Sequence, residues 1–169
     1  MKRNSRGFSL VELLVVLAII GILGLIATPA ILSVRPARSL NRAARDMVSN
    51  FRKARTMAIQ LNRNVVMRFD AVNGLYTLDG KLFSAKPLNV YYGDDVKFGF
   101  PGRIDAVTFA GDTITFTPVG LTSNGTVAQY AFLQNRNSVT TGEGYRIGVR
   151  GAGNIVMEKC GNAGVDCKN

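Results

Sequence analysis

Hydrophobic positions fall into three regimes along the chain. From Leu13 to Ala27 no side chain is polar, and the surrounding apolar run reaches from Phe8 to near Leu32, broken early by Ser9 and Glu12. That length suits a helix crossing about 30 Å of hydrocarbon. From Leu40 the rule changes. Leu40, Ala44, Met47, Phe51, Ala54, Ala58 and Leu61 recur at steps of three and four, which draws one apolar stripe on an amphipathic helix. The two regimes join into one predicted helix from about Phe8 to Leu61, about 80 Å long at 1.5 Å per residue. Pro29 and Pro36 each lack a backbone donor and should bend it. The third regime starts after Asn62-Arg63-Asn64 and is β-like. Short runs start at Val65, Leu75, Val90, Val96, Thr113, Val127, Tyr145 and Asn154, separated by turn signals such as Asn73-Gly74 and Asp79-Gly80. Strict alternation from Thr113 to Thr117 marks a strand with one buried face, as in antiparallel sheets covered on one side. The expected fold is α+β: a long N-terminal helix, its first half transmembrane, packed against an antiparallel β-sheet.

Charge sharpens the N-terminal reading. Lys2, Arg3 and Arg6 precede the apolar run, so the positive-inside rule holds the head in the cytoplasm and sends the rest outward. Glu12 lies inside the run. A carboxylate in lipid costs a few kcal/mol unless paired, which makes it a functional candidate. The whole chain carries +10; removing Lys2, Arg3 and Arg6 leaves 18 basic against 11 acidic residues, a balance of +7. With no histidine there is no His-based catalysis or His-ligated metal site. Cys160 and Cys167 bracket a short C-terminal loop. Outside the membrane a disulfide between them is favoured over a two-cysteine metal site, which lacks further ligands.

The N-terminal residues Gly7-Phe8-Ser9-Leu10-Val11-Glu12 resemble the class III leader of type IV pilins and pseudopilins. A secretory signal is cut after its apolar stretch and discarded, whereas a cut between Gly7 and Phe8 keeps that stretch in the mature protein. The resemblance implies a prepilin peptidase that cleaves after Gly7 and methylates the new amine on Phe8. It also implies that Glu12 pairs with the terminal amine of a neighbouring subunit, and that the helix near Pro29 can melt on filament assembly. Three segments follow: a leader at 1–7, a transmembrane and filament-core helix at 8–35, and a periplasmic pilin-like domain at 36–169. Further along, Ala54 to Val65, Ile114 to Gly120 and Arg146 to Ile155 resemble the helix–strand junction, central strand and closing hairpin of GspH/FimT-type minor pilins. The implied role is a minor subunit of a type IV pilus or a type II secretion pseudopilus, with the inner membrane, the peptidase and other pilin subunits as partners and no cofactor. Pilus and secretion machinery share these features, so both settings stand.

Two basic groups remain. Arg35, Arg38, Arg42, Arg45, Arg52, Lys53 and Arg55 crowd the long helix, with Asp46 as the acid among them. They suit a solvated or lipid-facing surface, docking against acidic neighbours, or contact with DNA phosphates. Arg146, Arg150 and Lys159, with Tyr145 beside them, form a second candidate, for DNA. Some FimT-like pilins take up DNA through a Gly-Arg-x-Arg motif, from which this chain departs. Two surface arginines on an edge strand is the plainer reading of Arg146 and Arg150. The glycines around Tyr145 miss dinucleotide-loop spacing and read as turns. Asp94 and Asp95 lack companion ligands for calcium. No pairing of acids suggests an enzyme; a major pilin is the remaining structural alternative.

Overall fold

The computed structural model describes residues 9–79, 81–82, 87–93, 96–123, 127–135, 138–151, 153–161 and 166–168; within these, the side chains of residues 25–34, 81–82, 139–140 and 166 are left undescribed. Helix α1 runs Leu10–Gln60. The helical assignment continues through both Pro29 and Pro36. Short elements follow: β1 Val65–Asp70, β2 Leu75–Leu78, β3 Lys81–Leu82, α2 Leu88–Tyr92, β4 Lys97–Phe98, a 3-10 turn Ala110–Asp112, β5 Thr113–Phe116, β6 Gln129–Gln134, α3 Ser138–Thr141, β7 Gly144–Arg150, β8 Asn154–Gly161 and β9 Asp166–Lys168. The chain divides into two compact units, Met1–Arg35 and Pro36–Asn169.

Helix α1 ends where the chain turns left-handed at Asn62, φ 46°. Asn62 N–H donates to the Ile59 carbonyl and Arg63 N–H to the Ala58 carbonyl, the paired bonds of a Schellman cap. Leu61, expected on the buried stripe, therefore sits past the last helical turn and is 51% exposed. The rest of the stripe is buried, extended by Ala43 and Val48.

The strands form two antiparallel sheets rather than the single one expected, ordered β3-β2-β1-β5 and β4-β6-β7-β8-β9. Alternation sets one face of each against α1. Val65, Met67 and Phe69 of β1, Tyr76 and Leu78 of β2, and Ile114 and Phe116 of β5 join Met47 and Phe51 in one core. Ala131 and Leu133 of β6 and Ile147 and Val149 of β7 enter the same core from the second sheet. Phe51 lies among its rings, with centroids 5.9 Å from Phe69, 6.0 Å from Phe109 and 6.3 Å from Phe116. Polar latches orient the helix on this core. Asn41 donates to the Tyr145 hydroxyl at 2.7 Å, Asn50 to the Tyr76 hydroxyl at 2.6 Å, and buried Asn135 to the Pro36 carbonyl at 2.8 Å.

Val90-Tyr91-Tyr92, read as a strand, is the end of helix α2. Leu88 is buried and the Tyr92 hydroxyl donates to Asp46 on α1 at 3.0 Å. Anchors four residues apart need a helical turn, and tertiary contact overrides β propensity here. Burial first, and then the bond to Asp46, raise the Tyr92 phenol pKa; burial raises Tyr76 as well. A raised phenol pKa gives stability that is complete below the unfolded value near 10 and is lost as pH climbs through the folded value. Denaturant midpoints should accordingly fall above about pH 10, and less steeply in Tyr92→Phe.

Candidate assembly site

The first turns of α1 carry one candidate. From Leu10 to Leu23 the large apolar side chains are between 44% and 76% exposed on every side of the helix. A helix apolar all round belongs inside a membrane or a protein core. Among the described residues, no helix is long and apolar enough to cross a membrane. The expected span from Phe8 to Leu32 rests in part on Phe8 and on side chains 25–34, which lie outside the described residues. The cleavage junction of Gly7 and Phe8 lies outside them too, as does the Pro29 side chain. Glu12 stands in the first turn of α1, exposed and without an ion pair among the described residues.

The closing hairpin carries a separate candidate. Its register places Arg146 opposite Glu158 and Arg150 opposite Asn154. Side chains alternate, so Ile147 and Val149 face the core while Arg146 and Arg150 share the other face of the sheet, as expected for residues four apart on a strand. They are not free there. Arg146 Nε lies 2.5 Å and Arg150 Nη2 2.8 Å from the carboxylate of Glu158, which is 3% exposed. Arg150 Nε also donates to the Tyr130 hydroxyl at 2.7 Å. The guanidinium of Arg146 lies 4.6 Å from the Tyr130 ring centre, and that of Arg103 lies 4.4 Å from the Phe132 ring centre. The Arg150 pKa is raised, first by its bond to Tyr130 and then by that group's charge. Lys159 pairs with Glu143 at 2.8 Å. The residues proposed to hold phosphates thus already hold carboxylates, and Arg146 with Arg150 act as clamps on a buried acid. Glycine makes this face possible: a Cβ on Gly148 would stand 1.9 Å from the Gln129 carbonyl oxygen.

Glu158 was not singled out by the sequence, although a signal was present. Gly151 and Gly153 mark a hairpin in the sequence, and counting outward equally from them pairs Arg146 with Glu158.

Next to the clamp, Phe100, Tyr130, Phe132 and Cys160 form a second, smaller core. Cys160 and Cys167 are neighbours across β8 and β9 and are disulfide-bonded, S–S 2.05 Å. The bond fastens the three-residue edge strand β9 to the sheet. Replacing both cysteines with serine should cost about 2 kcal/mol for so short a loop, read as a lower urea midpoint; an unchanged midpoint would show that β9 holds without the bond. Asp94 and Asp95 lie outside the described residues.

On α1 the arginines keep to one side. Arg38, Arg42 and Arg45 line one hollow of about 430 Å³ with Tyr145; Arg45 and Arg52 line a second of about 490 Å³ with Ile155 and Met157. Arg52 and Arg55 line a third of about 500 Å³ with Ile59 and Ile155.

Comparison with known proteins places these features in a class. Residues 2–28 match the prokaryotic N-terminal methylation motif, which defines the pilin-type N-terminus. Residues 43–153, covering the amphipathic half of α1 and most of both sheets, match the family described as type II transport protein GspH, and the chain belongs to that family. The minor pseudopilin EpsH from the type 2 secretion system of Vibrio cholerae is similar in structure, with 11% identity, TM-score 0.49, and coverage of 70% of this chain and 95% of that one. The assignment does not rest on that likeness. Comparison with curated proteins found no significant match.

Proposed function

We propose that this chain is a non-enzymatic assembly subunit, a minor pseudopilin of a type II secretion system. Its leader is removed between Gly7 and Phe8, the amine of Phe8 is methylated, and the mature chain is held in the inner membrane by the first half of α1 with its sheets in the periplasm. The carrying observation is the all-round exposure of the apolar residues from Leu10 to Leu23 on the segment that matches the methylation motif. Such a surface needs a lipid or helical environment that a single subunit does not supply. In lipid the helix anchors the chain. In an assembly the same side chains pack against neighbouring helices, and Glu12 receives the terminal amine of an adjacent subunit. Cleavage thereby creates the cation that the carboxylate needs, which couples processing to assembly. The match to a type II transport family favours the secretion setting over a pilus.

Intact-mass measurement on membrane-extracted protein tests the processing. The expected species begins at Phe8 and is one methyl group heavier than the bare sequence from that residue. A species retaining Met1 to Gly7 at steady state would remove the proposed maturation.

A further inference from the structure

The arginine-lined trough along α1 differs from the ion-paired cations elsewhere in the sheet-bearing unit. Arg63 pairs with Asp79, Arg146 and Arg150 with Glu158, and Lys159 with Glu143. Arg38, Arg42, Arg45, Arg52 and Arg55 have no ion pair among the described residues. Arg45 donates to Asn41 at 2.8 Å and Arg55 reaches the Gly153 carbonyl at 3.5 Å, both uncharged acceptors. The acid lining the trough, Asp46, accepts the Tyr92 hydroxyl. The three hollows adjoin, sharing Arg45 between the first and second and Arg52 with Ile155 between the second and third. From Arg38 to Arg55 the row runs about 25 Å at 1.5 Å per residue. Like charges three and four residues apart on a helix repel, so the row is destabilising until something negative covers it.

We infer that this trough is a docking surface for an acidic, amphipathic segment of a different subunit. The inference rests on the reading of the chain as an assembly subunit and names the partner chemistry. Charge selects an anion. The wall opposite the arginines selects its kind, because Tyr145, Ile155 and Met157 are half-buried along it. Phosphate groups by themselves offer nothing to Ile155 or Met157, whereas a peptide ridge with carboxylates on one side and apolar residues on the other satisfies both walls. The cations lining the trough are all arginine, the side chain whose planar fork takes a carboxylate in two bonds and loses its water readily at interfaces. A second copy of this chain does not fit. Its matching face carries the same five arginines, and a two-fold contact would set them against one another.

The test uses the full chain in a neutral detergent and a synthetic twenty-residue helical peptide with Glu and Leu on adjoining faces, titrated by fluorescence anisotropy. Three further probes are the same peptide with Gln for Glu, a twenty-base-pair DNA duplex, and vesicles containing phosphatidylglycerol. The acidic peptide should bind most tightly, and Arg42→Glu with Arg45→Glu should weaken it at least tenfold. Arg68→Glu with Lys97→Glu, which changes net charge equally on exposed strand positions, should leave its Kd within twofold. Equal binding of the Gln peptide, tighter binding of DNA or vesicles, or equal losses in both double variants would overturn the inference. So would a self-association that Arg42→Glu with Arg45→Glu abolishes. The parent reading has its own readout: if those trough variants still enter the assembly like the wild type, the docking surface falls while the assembly role stands.

Discussion

Replacing Glu158 with alanine should lower the unfolding free energy of the sheet-bearing domain by about 4 kcal/mol, since removing one partner of a buried ion pair strands the other charge. Glu158 lies 3% exposed between two guanidiniums, and the nearer, Arg146, is itself only 19% exposed. Without the carboxylate, Arg146 and Arg150 face each other over the Tyr130 ring with nothing to neutralise them. Urea unfolding followed by circular dichroism reads the loss as a shift in midpoint at unchanged slope. Glu158→Gln should lose less, because an amide oxygen still accepts from Arg146. Adding Arg146→Leu to Glu158→Ala should recover part of the deficit, since the stranded charge is then removed. An unshifted midpoint in Glu158→Ala would show that the carboxylate is not the anchor of this face. The two arginines would then be available to an outside anion, as the DNA reading of Arg146, Arg150 and Lys159 requires.

The second large effect is expected at Glu12. Glu12→Ala should leave membrane insertion and cleavage intact, because alanine only makes the helix more apolar, yet cut incorporation into the assembly at least tenfold. In a low-dielectric surrounding the attraction between a carboxylate and an ammonium is many times its value in water, and a paired cation offsets the cost of burying the acid. Tenfold corresponds to about 1.4 kcal/mol, a modest share of such a pair. Glu12→Gln separates charge from shape: it keeps the hydrogen-bonding side chain and should still fail to incorporate normally. Equal incorporation of both variants and wild type would remove the pairing.

Much of this was legible in the residues. The stripe from Leu40 to Ala58 repeats every three to four positions, and its burial follows because that spacing admits one core-facing side. The helix end was legible at Asn62, a residue that tolerates the left-handed turn. Strands β1, β2 and β5 were found within a residue because buried positions alternate along each of them. What failed depended on distant contacts. Helix α2 follows from Tyr92 reaching Asp46, forty-six residues away, which no local window contains. Strands β3 and β9, two and three residues long, take their register from neighbours. The division into two sheets is likewise invisible locally, since β5 joins β1 across the intervening elements while both sheets present the same alternation to one helix. In the site, the disulfide could be read from spacing and compartment, whereas Arg146 and Arg150 looked free until the register brought Glu158 beneath them.

The central claim is that the chain works as one subunit among unlike partners. Its most direct test is recovery of the tagged full chain from membranes after mild cross-linking, with co-purifying proteins identified by mass spectrometry. The account predicts other subunits with processed, methylated N-termini, present with wild type and depleted with Glu12→Ala. Recovery of the chain alone, or with the same companions whether or not Glu12 is present, would contradict it.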